Sequence, residues 1–220
     1  EMMNRMKNES LSNKSVFVNN TFMTTRVVDG QSVNQLPAHV LDLRISHRFG
    51  PLSSGAYNFF GLDHATMRLG FDYGITENLM VGIGHSTYQK TYDAFFKLRL
   101  LQQRSGYKSV PLTVSFVSII ALNTLKPVDS SRIRFQDRLS SVYQLLIARK
   151  FSESFAIQVM PTFIQLDNIS FDHSNKYIIA FGIGSRQKVS KRVNLNAEYY
   201  YQLPGMQAPG SHNVFSLGID

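Results

Sequence analysis

The stretch TMRLGFDYGITENLMVGIG, Thr66–Gly84, decides the fold. Met67, Leu69, Phe71, Tyr73 and Ile75 alternate with Thr66, Arg68, Gly70, Asp72 and Gly74. After Thr76-Glu77-Asn78 the pattern resumes with Leu79, Val81 and Ile83 against Gly82 and Gly84. Successive side chains on extended backbone point to opposite faces, so a period of two marks a strand with one apolar and one polar face. Two such runs separated by a short turn make a hairpin.

Working outward, Val40–Phe49 repeats the pattern, with Leu41, Leu43, Ile45 and Phe49 apolar and Asp42, Arg44, Ser46 and Arg48 between them. Strand-like runs follow at Tyr92–Gln102, Val110–Leu122, Arg138–Phe151, Phe155–Leu166, Tyr177–Lys188, Val193–Leu203 and Asn213–Asp220. With Ser15–Val28 taken as a first strand, about eleven strands are expected. Connections alternate in length. Thr76-Glu77-Asn78, Ser152-Glu153-Ser154 and Ser190-Lys191-Arg192 are tight. Gly50–Ala65, Asn123–Gln136, Asp167–Lys176 and Pro204–His212 are long and rich in Gly, Pro, Asn, Asp and Ser. No helical stripe and no fixed-length repeat competes.

The composition narrows the class. At 43% hydrophobic and 12% aromatic the 220-residue chain is too apolar for disorder. No window approaches the ~18 consecutive apolar residues of a spanning helix, which leaves closed strands as the only way across a bilayer. Cysteine is absent, so disulfides, thiolate metal sites and thiol catalysis are excluded. Most runs reach ten residues or more. That suits a tilted membrane strand of ~9–11 residues better than a soluble strand of ~5–6. Short turns at one rim and long loops at the other are the habit of outer-membrane barrels. Phe49, Tyr73, Tyr92, Phe151, Phe155, Tyr199 and Tyr201 fall near strand ends and fit interfacial girdles.

The expected fold is therefore all-β, an antiparallel up-and-down transmembrane β-barrel of about 12–14 strands when complete. Glu1–Ser15 reads as a mobile lead-in and residues 16–220 as the barrel, with further C-terminal strands expected. A soluble ligand-binding β-barrel, with the two faces inverted, is the rival reading of the same alternation.

If the apolar face meets lipid, Leu41, Leu43, Ile45, Met67, Leu69, Phe71, Val81 and Ile83 point outward. Asp42, Arg44, Arg48, Arg68, Asp72, Lys97, Arg99 and Glu198 then line the lumen, with Asp93, Arg138, Lys150, Arg186 and Lys188 on the same face. Crowded cations would recruit Asp42 and Asp72. The resulting set is either an ion network filling a narrow lumen or a basic passage for anions. Tyr57, Phe59 and Phe60, in one long loop, are expected to fold over the barrel mouth or to pack on a partner.

No catalytic constellation is visible. His39, His47, His64, His85, His173 and His212 are scattered without metal-ligand spacing, so no metal and no cofactor is expected. Gly82-Ile83-Gly84 and Gly182-Ile183-Gly184 lack a third glycine and a following helix. They read as inward glycines where the interior is crowded. No Gly-x-Ser-x-Gly occurs. The net charge of +8 is spread along the chain rather than gathered into a stripe, so no nucleic-acid partner is expected.

His47–Gly84 (HRFGPLSSGAYNFFGLDHATMRLGFDYGITENLMVGIG), Tyr92–Arg104, Tyr143–Phe151 and Val193–Pro204 carry a resemblance. Over Thr21–Asp220 the chain resembles a family of predicted outer-membrane β-barrels of unknown function from Bacteroidetes-type bacteria. The resemblance implies a removed N-terminal signal and additional C-terminal strands, and it brings no catalytic or ligand residues. The function expected is that of a non-enzymatic protein of the Gram-negative outer membrane, either a porin-like small-solute channel or a structural subunit of an envelope complex. Membrane lipid and other envelope proteins are its expected partners. A lipid-modifying barrel enzyme is the alternative.

Overall fold

The structure is a computed structural model that describes residues 15–50, 55–63, 65–125, 134–166, 177–205 and 212–220. Apart from Ser15, the lead-in lies outside the described residues, as do all of Asp167–Lys176 and parts of the other long loops. The strands are β1 (Ser15–Phe17), β2 (Leu41–Arg48), β3 (Thr66–Thr76), β4 (Leu79–Ser86), β5 (Thr91–Leu101), β6 (Arg104–Gly106), β7 (Thr113–Asn123), β8 (Leu139–Lys150), β9 (Phe155–Gln165), β10 (Tyr177–Lys188), β11 (Asn194–Gln202) and β12 (Val214–Ile219).

Ten of them form one antiparallel sheet in the order β12-β11-β10-β9-β8-β7-β5-β4-β3-β2, while β1 and β6 pair separately. Apart from the short β6 between β5 and β7, neighbours in the large sheet follow one another in the chain, as an up-and-down meander requires. The register carries one parity around the sheet. Asp72 faces Gly82, Gly82 faces Phe95, Phe95 faces Ile119, and the row continues through Val142 and Ile164 to Ile178, while Gly184, Glu198 and Ser216 form a second row on the same side. A one-residue slip anywhere would exchange the faces.

The faces divide as the alternation predicts. Leu41, Leu43, Ile45, Met67, Leu69, Phe71 and Ile83 stand exposed, Ile83 at 62%. Val81 shares their side of the sheet. This apolar surface continues through Phe163, Phe181 and Leu217, far beyond the patch a soluble monomer tolerates. The opposite face is buried and mixed. Lys97, Asp72, Gln158 and Ser115 lie there beside Val117, Leu146, Ala148 and Met160.

The inner glycines make room for large neighbours. A Cβ on Gly82 would sit 2.2 Å from the Phe95 ring, and one on Gly182 2.5 Å from the Tyr200 ring. Gly70 and Gly84 face each other across β3 and β4, and the Arg68 guanidinium lies over both.

Two expectations are corrected. Ser15–Val28 does not form a spanning strand: Ser15–Phe17 pairs with the short β6, and Arg26 makes an isolated bridge to Gln31. Residues from Val18 onward leave the sheet because Asn19, Asn20, Thr24 and Thr25 break the apolar alternation. The aromatic loop segment does not fold over the mouth. Tyr57, Phe59 and Phe60 are 96%, 63% and 52% exposed, on a tight 3-10 segment that places Phe59 and Phe60 at φ 45 and 54.

Candidate functional site

The sheet is rolled around its own N-terminal segment. At the short-turn end Val18 donates its N–H to the Gln103 carbonyl at 2.8 Å, and Arg186 donates to the Asn20 carbonyl at 3.2 Å. Phe22 then enters the interior. Arg26 and Gln31 form an antiparallel bridge, and Val27 donates to the Gly30 carbonyl at 2.9 Å, so the segment turns back on itself as a small hairpin. It leaves through Asn34 and Gln35, and Ala38 donates to Glu77 at 3.3 Å beside the β3–β4 turn. Entry and exit share one rim, which explains why β2 starts at that rim although an additional segment precedes it.

The segment lacks a strand partner, and inner side chains supply its hydrogen bonds, as buried backbone requires. Gln158 on β9 takes the place of a neighbouring strand: its Oε1 accepts the Val33 N–H at 2.8 Å and its Nε2 donates to the Gln31 carbonyl at 2.8 Å. Lys97 on β5 donates to the carbonyls of Thr25, Ser32 and Asn34 and to Gln31 Oε1, at 2.7 to 3.3 Å. Glu198 on β11 accepts the Gly30 N–H at 3.1 Å on either oxygen and the Val28 N–H at 3.4 Å. Phe22, Val27 and Val33 fill the space between these anchors against Val117, Leu146 and Met160.

The hairpin tip also reaches the two edges of the sheet. Arg48 on β2 and Ser216 on β12 both donate to Asp29, at 3.3 and 3.4 Å.

The eight residues expected at the lumen take different places. Lys97 and Glu198 hold the enclosed segment. Arg44 donates to Thr25 at 2.9 Å and pairs with Asp42 at 3.3 Å. Arg68 is bound bidentately by Asp93, the Nε–Oδ1 contact being 2.8 Å. The acid that neutralises Arg68 is thus Asp93 rather than Asp72. Asp72 faces Asp42 in register and is fully buried, and neither of its oxygens has a hydrogen-bond partner among the described residues. Arg99 lies near the short turns, 3.5 Å from Gln102. Arg48 stands at the long-loop rim with its side chain 72% exposed.

Reading only charged residues missed Gln31, Gln144, Gln158 and Thr162, which share the inner parity or the enclosed segment. Gln144 donates to Thr162 at 2.9 Å and to the Tyr200 hydroxyl at 3.0 Å. Their signal was legible as uncharged polar residues at inward positions of β8 and β9.

Above the hairpin, a cavity of about 670 Å³ opens toward the long loops. Arg26, Arg44, Arg48 and Arg68 line it together with Asp29 and Asp93. Burial lowers the Arg26 guanidinium to about 10, with Asp72 opposing, so it stays cationic at neutral pH. A smaller polar cavity of about 280 Å³ lies at the other rim, beside Glu77, Arg99 and Gln102.

A rolled antiparallel sheet with an apolar exterior, a polar interior and an enclosed segment defines a membrane-bound β-barrel. The family described as "Membrane bound beta barrel domain (DUF5777)" matches residues 22–220, and the chain belongs to that family. The match begins at Phe22, so the enclosed hairpin is part of the family domain. No curated protein and no solved structure matches the chain.

Proposed function

We propose that the protein is a non-enzymatic β-barrel of the Gram-negative outer membrane whose lumen is kept closed by its own N-terminal segment. It serves as a structural or solute-receiving component of the envelope rather than as an open channel. One observation carries this reading: the hairpin around Arg26–Gln31 is held from β5, β9 and β11 at once, and Asp29 reaches β2 and β12. A segment held from so many sides occupies the route that ions would take. Short turns face the periplasm and long loops the exterior, following the habit of such barrels. Envelope lipid surrounds the apolar face, and other envelope proteins are the partners the exposed aromatic loop suits.

Planar-bilayer recordings test the reading. The full chain is expected to be silent, and a chain beginning at Pro37, which removes the hairpin, is expected to conduct. Stable conductance by the full chain would overturn the proposal.

A further inference from the structure

The cavity above the hairpin has the size of a small-molecule site, which is roughly 300–1,000 Å³, and its lining is uneven in charge. Four arginines and two aspartates line it, a formal balance of +2 among the lining residues. The four cations are occupied differently from one another. Arg68 is committed to Asp93 through two bonds. Arg44 and Arg48 each meet their carboxylate through a single nitrogen at 3.3 Å, Arg44 sharing that nitrogen with Thr25, and among the described residues further N–H donors of each fork are unused.

Arg26 is the telling residue. Its guanidinium carbon lies 5.5 Å from the centroid of the Phe95 ring, within reach of a cation–π contact. Among the described residues that guanidinium has no hydrogen-bond or ion-pair partner, although the side chain is only partly exposed and borders the cavity. A guanidinium held beside a ring and left with open donors is suited to a planar or tetrahedral oxyanion. Apolar side chains of the inner face border it: Phe95 and Ile119 line the same space.

We infer that this cavity binds an organic anion with a phosphate-type head and a compact apolar body, the head held by Arg26, Arg44 and Arg48. Several guanidinium forks suit three terminal oxygens better than two. Because Arg26 belongs to the hairpin and Arg44 and Arg48 to β2, the ligand would join the enclosed segment to the sheet. Occupancy would therefore hold the hairpin in place, and a seated hairpin would favour binding, as linkage requires. The inference rests on the seated hairpin of the preceding proposal but not on the absence of conductance.

Titration calorimetry on the full chain in phosphatidylcholine nanodiscs tests it, with phenyl phosphate as the soluble probe and inorganic phosphate as its head alone. Phenyl phosphate is expected to bind more tightly than inorganic phosphate, and Arg26→Gln and Arg48→Gln are each expected to weaken it by about tenfold. Arg48 is exposed, so that variant keeps the fold if Arg26→Gln does not. Repeating the titration in nanodiscs doped with phosphatidic acid identifies the source. Competition supports a lipid headgroup as the natural occupant, and its absence supports a soluble phosphate ester. No binding of phenyl phosphate, equal binding of inorganic phosphate, or full binding by the folded variants overturns the inference. Silent bilayers without phenyl phosphate binding overturn this inference alone, whereas conducting bilayers with binding overturn the closed-lumen reading alone.

Discussion

The Lys97 ammonium on β5 donates to the main-chain carbonyl of Asn34 at 2.7 Å, so a cation on the sheet is bound by the backbone of the segment it encloses. The same ammonium also meets the carbonyls of Thr25 and Ser32. A fully buried cation is costly unless its protons are satisfied, and here they are satisfied only while the hairpin is seated.

Lys97→Met keeps the length of the side chain and removes its charge. Buried carbonyls then lose their donor at a cost of about 1–3 kcal/mol each where no other group replaces it, and Asp72 loses a nearby cation. The hairpin is expected to loosen while the sheet persists. Because the chain has no cysteine, Gln31→Cys reports this directly. A water-soluble maleimide should label Gln31→Cys slowly in the parent and rapidly in the Lys97→Met background.

Gln158→Leu removes the side-chain amide that stands in for a strand partner. The Gln31 carbonyl and the Val33 N–H, bonded to it at 2.8 Å, become unpaired inside the protein. A loss of about 2–4 kcal/mol is expected from two such groups, read as a lower midpoint of thermal or denaturant unfolding in detergent. Gln158→Glu, which retains an acceptor for Val33, should lose less.

Gly84→Ala places a methyl group 2.3 Å from the Arg68 guanidinium and pushes it off Asp93. The expected cost is about 1–3 kcal/mol, typical of overpacking. In an Arg68→Ala background the same substitution should be nearly neutral, and the difference between the two backgrounds measures the coupling. Equal costs in both would show that the glycine serves another purpose.

Ile83→Arg puts a charge on the outer face of β4. If that face is in hydrocarbon, folding into phosphatidylcholine vesicles should weaken by about 2–4 kcal/mol near the midplane and by less near the rims. Moving the substitution along the outer residues of β3, from Phe71 toward Ile75, should trace that depth dependence. A flat profile would contradict the lipid-facing assignment.

The strands and their faces were legible because they depend on local geometry. The alternation of Met67, Leu69, Phe71 and Tyr73 with Arg68, Gly70 and Asp72 needs no distant partner to be recognised. The spacing of tight turns and long loops likewise orders neighbouring strands without further information. Gly82 and Gly84 could be marked as crowded inward positions, but the bulky groups that crowd them, Phe95 and Arg68, follow only from the register between strands.

Ser15–Val28 shows where such reading ends. Its run of Val16, Val18, Phe22, Val27 and Val28 resembles a strand, yet most of it lies inside the sheet, because inner polar groups elsewhere offer its backbone partners. Those partners are remote in the chain: the Thr25 carbonyl is bound by Lys97 and the Val28 N–H by Glu198. The same holds for the pairing of Arg68 with Asp93 instead of Asp72. Parity placed all three side chains on one face, and only the lateral packing over Gly70 and Gly84 selected between the acids.

What the sequence by itself determined was the β class, the strand order and the side of the sheet each residue occupies, since these rest on a two-residue period and on turn chemistry that act over a few positions. What the tertiary structure alone decided was that the lumen encloses residues of the chain's own N-terminal segment, and that the arginines above it are left unequally paired. Those outcomes depend on hydrogen-bond donors and acceptors brought together from positions more than a hundred residues apart, and no local pattern encodes which of them will meet.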